Sequence, residues 1–298
     1  MVTWLLLAIL GQFLYAVSVL VDRYIVVQAE HIGRPIVYAF YISVLSGFVV
    51  VLVPLGVVSW PNDMVVLWSF LYAIAFIAAI FFLYSTLRIA RASDAAPVVG
   101  AISALTTLAL AGTLIDGDVT TSLLPSVILL AVGTALISHF HFKRQALVYA
   151  LSSGVMFGVT IFFSKLVFLE TMFLNGLFWT RISTVIVALM LLLVPVARRA
   201  IFSGGRRSSQ GAKLLVIGNK VMGSVASIVT AFAVSLGSVS IVNALAGLQF
   251  VFLFLFVFLF ARYAPKLRHK TDVGHGGWQT TVGVSLIVLG VALMYRGL

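Results

Sequence analysis

The sequence predicts an all-α integral membrane protein of ten transmembrane helices, arranged as two inverted five-helix repeats. The first observation behind this prediction is composition: 62% of the 298 residues are hydrophobic and 9% are charged, against about 25% charged residues in a typical soluble domain. The second is a series of ten apolar runs. The third is a set of similarities between the two halves of the chain. Cysteine is absent, which excludes disulfide bonds and thiolate chemistry.

The ten apolar runs follow one another with mostly short connections. A hydrocarbon core about 30 Å thick is crossed by about 20 helical residues, and each run has roughly this length. None alternates polar and apolar residues as the strands of a membrane barrel do. The runs are 3–21, 36–58, 64–87, 95–114, 123–140, 146–168, 172–197, 214–236, 240–261 and 278–295. The two longest polar connections, 198–213 and 262–277, are predicted to be solvated loops.

Similar segments recur in the same order in the two halves of the chain. The matched pairs are 15–23 with 157–165, 51–54 with 192–195, and 90–103 with 236–249, at offsets of 142, 141 and 146 residues. A duplication explains this order, and an odd number of helices per repeat inserts the second copy upside down. We therefore predict a first repeat at 1–142 and a second at 143–298, which together form one membrane domain.

Basic residues are concentrated at one side of the predicted membrane. Of the 19 Lys and Arg residues, 15 lie at connections that follow an odd-numbered helix, whereas Asp63, Asp116, Asp118 and Glu170 lie on the other side. Because positively charged loops remain in the cytoplasm, both termini are predicted to lie outside it, in a multi-pass protein of the inner or plasma membrane. The net charge of +11 follows from this topology, and no basic stripe with interleaved aromatics indicates a nucleic-acid partner.

Two turn motifs identify a family resemblance. Residues 237–249 (Gly-Ser-Val-Ser-Ile-Val-Asn-Ala-Leu-Ala-Gly-Leu-Gln) lead into the ninth predicted helix, and 92–98 (Ala-Ser-Asp-Ala-Ala-Pro-Val) lead into the fourth. With the ten-helix repeat pattern, they make the sequence resemble the EamA-like branch of the drug/metabolite transporter superfamily. The resemblance implies a secondary transporter of small metabolites or lipid-linked sugars, with a cavity lined mainly by helices one, three, four, six, eight and nine. The family's usual topology, with both termini in the cytoplasm, is opposite to the orientation that the charges predict.

Two cations lie within predicted helices, where an ionisable side chain is costly and is therefore a functional candidate. Arg181 lies about ten residues, or ~15 Å, into the seventh helix. Lys220 lies about seven residues inside the eighth helix, beside Asn219. We predict that they bind an anionic group, Arg181 by its planar fork and Lys220 as a point charge. The alternatives are that Arg181 pairs with a backbone carbonyl or a helix end for packing and that Lys220 extends to the basic face of the membrane.

Three further charges lie at predicted helix ends. Asp22 and Arg23 end the first helix and Lys165 ends the sixth, on opposite faces of the inverted halves, where they could act as gates. Asp22 is also the carboxylate placed to exchange a proton with a cavity. The alternative is that all three anchor their helices at the membrane interface.

Polar groups on the cavity-lining helices are further substrate-binding candidates, although they can equally join helices to one another. Asn243 is favoured because it lies near a helix N-terminus, whose free amides attract anions. Gln249 lies six residues further on, so the two amides are predicted to point in different directions and not to face one cavity together. The other candidates are Tyr84, Ser103, Thr106, Trp179, Ser227 and Thr230. Gly154 and Gly158 are predicted to let two helices pack closely.

The sequence carries no enzyme signature. His139 and His141 would diverge by about 200° on a helix, no Cys or carboxylate accompanies them, and no Gly-rich phosphate loop is present. We therefore predict no catalytic residue, metal site or cofactor, and a monomer or homodimer in the lipid bilayer. Two functions remain: a secondary transporter of a small anionic metabolite by alternating access, or a flippase for a polyprenyl-phosphate-linked sugar or other anionic lipid. A structural membrane protein would instead lack a cavity.

Overall fold

The computed structural model describes residues 3–26, 35–118, 121–138, 143–203, 210–260 and 278–297. For a few residues within helices, 20–26 and 210–220 among them, it describes the backbone alone. Of the described residues, 88% are helical and none lies in a strand.

Each apolar run of the sequence coincides with helix in the described part of the chain. The helices are α1 Thr3–Val26, α2 Pro35–Leu45, α3 Asp63–Leu87, α4 Ala92–Leu114, α5 Leu124–Leu136, α6 Arg144–Glu170, α7 Phe173–Met190, α8 Pro195–Ser203, α9 Gln210–Leu236, α10 Val239–Ala244, α11 Leu248–Phe260 and α12 Trp278–Gly297. Short 3-10 segments extend α2 (Ser46–Leu52) and α7 (Leu191–Leu193), and a third, Leu245–Gly247, joins α10 to α11.

Seven helical stretches are long and apolar enough to cross a membrane. Within the described residues they are Pro35–Leu52, Asp63–Leu87, Ala92–Leu114, Arg144–Glu170, Phe173–Leu193, Val239–Phe256 and Trp278–Arg296. Shorter apolar stretches are Thr3–Val19, Leu124–Leu136 and Val221–Leu236. These helices are those of a multi-pass membrane protein, as the composition predicts.

The structure corrects the predicted loop at 198–213. The seventh apolar run ends at Val194, whose backbone is extended (ψ 114°), because a residue before proline avoids the helical conformation. Pro195 then begins α8, a position where its missing N–H costs no hydrogen bond. Ile201 of α8 is 1% exposed and packs against α2, while Arg198 is exposed. The chain at this point is therefore an amphipathic helix, and α9 already begins at Gln210.

Small residues set the spacing between α4 and α6. A Cβ added at Gly154 would lie 2.6 Å from the Ile102 Cβ, and one at Gly158 would lie 2.7 Å from the Ser103 carbonyl oxygen. Neither position has room for a side chain, which confirms the predicted close-packing pair. The contact matters for function because both helices also line the central cavity described next.

Candidate functional site

A central cavity of about 420 Å³ lies between the helices. Residues of α1, α3, α4, α6, α9, α10 and α11 line it. In the order of the predicted helices these are the first, third, fourth, sixth, eighth (α9) and ninth (α10 with α11), which the family resemblance implies. Helix α7 contributes as well. No group of three or more His, Asp or Glu side chains that could hold a metal ion occurs in the described ranges. The described part of the wall is built from apolar groups, hydroxyls, amides and one guanidinium.

Arg181 of α7 is the only charged side chain among the described residues of the cavity wall. Its Nη2 donates to the Ser227 Oγ at 2.7 Å and its Nη1 to the Tyr72 Oη at 3.3 Å. Tyr15 also hydrogen-bonds Ser227. These partners are neutral hydroxyls, so the bonds orient the guanidinium without neutralising it. Anion binding by Arg181 stays a prediction, with which this arrangement is compatible, and the described partners of the guanidinium are side-chain hydroxyls.

Asn243 joins neighbouring helices by hydrogen bonds. Its Nδ2 donates to the Ser103 Oγ at 3.0 Å and to the Thr107 Oγ1 at 2.7 Å. The Thr107 hydroxyl in turn donates to the Gly158 carbonyl oxygen at 3.1 Å. The chain of bonds joins α10 to α4 and α4 to α6, and Asn243 is only 5% exposed. Although Asn243 lines the cavity, its amide nitrogen is used for packing.

Gln249 lines the same cavity as Asn243, so the prediction that the two amides cannot share it is wrong. Six residues of regular α-helix would set them about 120° apart. The 3-10 segment Leu245–Gly247 lies between them, and each of its residues turns by about 120° instead of about 100°. The angle between the two side chains thereby falls to about 60°, which one cavity can accommodate.

Two other predicted binding residues lie outside the cavity. Trp179 donates from Nε1 to the Ser59 carbonyl oxygen at 3.0 Å and stacks on Trp60, next to the connection between the first 3-10 segment and α3. Tyr84 packs against a cluster that includes Phe40 and Ile77. Both side chains therefore join helices and loops around the cavity wall.

Four predicted residues lie where the structure describes backbone only. Asp22 and Arg23 are in the last turns of α1, and Asn219 and Lys220 are in α9. Their side chains are outside the described residues. Their predicted roles as gates and as anion ligands therefore stay predictions.

Lys165 lies at the turn that joins α9 to α10. Its Nζ donates to the Gly237 carbonyl oxygen at 2.7 Å and to the Val234 carbonyl oxygen at 3.0 Å, which closes the C-terminus of α9. Asp118 closes the N-terminus of α10, accepting from the Val239 N–H at 2.8 Å and the Ser240 N–H at 3.2 Å. Each charge faces the end of the helix dipole that it stabilises. We call these two side chains and the turn 237–238 the turn clamp.

Sequence reasoning did not select Gln12, Tyr15 or Tyr72, which all line the cavity. The repeat alignment sets Tyr15 over Phe157, and both residues line the cavity. The alignment therefore marks equivalent positions of the two halves, although it does not show that they face a cavity. Gln12 is 3% exposed and is an isolated amide in an apolar helix, the kind of group that demands a polar partner. Tyr72 carried no comparable signal, since nothing in the sequence near it distinguishes it from interface tyrosines.

We expect Asn243→Ala to lower the stability of the protein by about 1–3 kcal/mol, because the substitution removes a donor shared by two buried hydroxyls. Gln249→Ala is the matched control: it removes an amide from the same cavity wall, six residues away. Thermal unfolding of the detergent-purified variants measures the difference. Equal unfolding midpoints for the two variants would contradict a packing role for Asn243.

Comparisons with known proteins identify the fold and no family. No family model matches the chain, and no curated protein matches it. Among solved structures, 29 chains match. One of them, described only as a crystal structure of a protein, superposes with a TM-score of 0.70 at 14% identity, over 99% of this chain and 97% of its own. A similar helical arrangement therefore occurs, over nearly the whole chain, in an experimentally determined structure.

Proposed function

We propose that the protein is a secondary active transporter that carries a small organic anion through the central cavity by alternating access. The observation that carries this proposal is Arg181, a half-buried guanidinium on the cavity wall whose described partners are neutral hydroxyls. A desolvated cation without a counter-charge is costly in a membrane and is typical of a substrate site. The proposal agrees with the resemblance to EamA-like transporters.

The proposal includes ten spans in two inverted repeats. The 142-residue offset between 15–23 and 157–165 relates α1 to α6 and α3 to α9. Helix α1 packs along α9, and α6 packs along α3, so the repeat exchanges the two pairs, as a pseudo-two-fold axis in the membrane plane requires. The helices α1 and α9 have 24 and 27 residues, which is enough to span a bilayer.

Cavity size supports a small metabolite over a lipid-linked sugar. A volume of about 420 Å³ lies within the ~300–1,000 Å³ of ordinary small-molecule sites. A polyprenyl chain would have to extend between helices into the bilayer. The flippase alternative therefore requires flux of a lipid phosphate, whereas the metabolite transporter requires flux of water-soluble anions.

Transport by the reconstituted protein is the direct test. Proteoliposomes loaded with unlabelled organic acids are expected to accumulate the labelled acid by counterflow, and Arg181→Gln should abolish most of this exchange. Running the assay with and without a proton gradient identifies coupling. Arg181-dependent flux of a lipid phosphate alone would favour the flippase, and no flux of any anion would favour a structural membrane protein.

The orientation of the protein in the membrane can be tested by cysteine labelling, because the sequence contains no native cysteine. Asp116 and Arg198 are both exposed and lie on opposite predicted faces. Because the basic face is expected in the cytoplasm, a membrane-impermeant maleimide should label Asp116→Cys in intact cells and Arg198→Cys only after permeabilisation. The reverse pattern would place both termini in the cytoplasm, as in the family that the chain resembles.

A further inference from the structure

We propose that the substrate is a monovalent organic anion with an apolar body, such as an aliphatic or aromatic monocarboxylate. This inference rests on the proposed transport function and concerns the same cavity. It follows from the number of charges on the described wall and from the distribution of apolar groups along it.

The charge of the described cavity wall matches one negative group. Arg181 is the single cation on the described cavity wall, and its neighbours Tyr72 and Ser227 are held as hydroxyl partners of the guanidinium. A second carboxylate or a doubly charged phosphate would be desolvated without a further cation, which costs several kcal/mol. The described wall also contains no carboxylate to receive an ammonium group. On the described wall, a dianion or a zwitterion would therefore leave one of its charges without a partner.

Three polar groups of the cavity wall lie at one level with Arg181. Gln12, Tyr15 and Tyr72 lie at similar depths in α1 and α3, which both begin at the same face. Arg181 lies about 12 Å into α7, which begins at that face as well. The anion is therefore held near the middle of the bundle.

The part of the wall where α3 ends and α4 begins is apolar. Leu83 and Phe157 pack against Val99 there, and all three line the cavity. The ring of Phe76 stacks on that of Tyr72, so the apolar part of the wall begins directly beside the polar groups. Along α3, Tyr72 and Leu83 are separated by about 16 Å. A carboxylate at Arg181 thus leaves room for an apolar body that extends towards Leu83.

A set of six-carbon probes tests the inference, with binding to the detergent-purified protein measured by calorimetry. Hexanoate, hexanamide, adipate and 6-aminohexanoate share a carbon skeleton and differ in charge. We expect hexanoate to bind at least about tenfold more tightly than each of the others. Affinity should also rise about fourfold per methylene group from acetate to butyrate to hexanoate, the effect of burying each group.

Two variants separate the charge from the apolar body. Arg181→Gln should reduce the preference for hexanoate over hexanamide to about one. Leu83→Ala enlarges the apolar end, so octanoate should gain on hexanoate while the preference for acid over amide is retained. Leu105→Ala is the matched control, since Leu105 is 42% exposed on α4 and does not line the cavity.

The inference is overturned if adipate or 6-aminohexanoate binds as tightly as hexanoate, if hexanamide does so, or if chain length has no effect. Failure of the proposed function looks different. If a phosphate ester or amino acid shows flux that depends on Arg181, the substrate class is wrong and transport stands. If no anion shows such flux, transport itself is wrong.

Discussion

Arg181→Gln is expected to lower anion flux at least about 100-fold. Removing one partner of a desolvated charge pair costs about 3 kcal/mol or more, and this corresponds to more than a hundredfold in affinity. Glutamine keeps a polar group of similar length at the site, so the lost charge is the main change. The measurement is initial counterflow of a labelled monocarboxylate into proteoliposomes that contain equal amounts of each variant.

The same substitution should leave stability unchanged or increase it. The hydroxyl partners of Arg181, on Tyr72 and Ser227, are neutral, so the folded state holds a half-buried charge without a described counter-charge. Replacing it removes a desolvation cost rather than an ion pair. If Arg181 binds the substrate, Arg181→Gln should lower flux and leave the unfolding midpoint unchanged or higher. If Arg181 serves only packing, the substitution should lower both.

Two further variants refine the test. Arg181→Lys retains the charge but cannot reach both hydroxyls with a planar fork, so we expect intermediate flux. Arg198→Gln removes an exposed arginine of α8 and controls for net charge. Equal flux by the Arg181→Gln and Arg198→Gln variants would contradict an anion site at Arg181.

Sequence reasoning located the helices more reliably than it located their ends. Apolar runs of about 20 residues are a strong signal because a bilayer requires that length. Helix ends depend instead on local backbone preferences, as at Val194 and Pro195, where one proline divides a continuous apolar run into α7 and α8. Hydropathy averaged over a window cannot detect such a break.

Arg181 could be selected from the sequence because a cation inside an apolar helix is conspicuous. The direction of Gln249 could not, since it depends on three residues of 3-10 helix within a run that reads as a regular α-helix. The sequence also does not predict the contacts of Lys165. Its contacts are backbone carbonyls 69 and 72 residues away in the chain, and no pattern in the sequence marks a carbonyl as a partner.

Lys165→Met is expected to have the second large effect. It should destabilise the protein by about 2–5 kcal/mol, because two buried acceptors lose their donor. Lys165 is 8% exposed, and its removal leaves the carbonyl oxygens of Val234 and Gly237 without their donor, at about 1–3 kcal/mol each. Lys143→Met is the control, because Lys143 is an exposed lysine at the other end of the same helix. Unfolding titrated with SDS in mixed micelles measures the free energy of unfolding.

Asp118→Asn tests the other half of the turn clamp. Asp118 accepts from the Val239 and Ser240 N–H groups with both carboxylate oxygens, and an amide can accept with only one. The exposed Asp116, two residues away, supplies the control Asp116→Asn. We expect a loss of about 1–2 kcal/mol, typical of a helix N-cap, and none for the control.

The double variant decides whether the clamp acts as a unit. Lys165 and Asp118 attract one another across the turn, so each single variant also removes this attraction from the other charge. The double variant should therefore lose less stability than the two single variants combined. Full additivity would mean that the two charges stabilise α9 and α10 separately. Because Val234 and Val242 line the cavity on either side of this turn, a coupled clamp would fix the relative position of two cavity walls, and weakening it should lower flux without altering the preference for acids over amides.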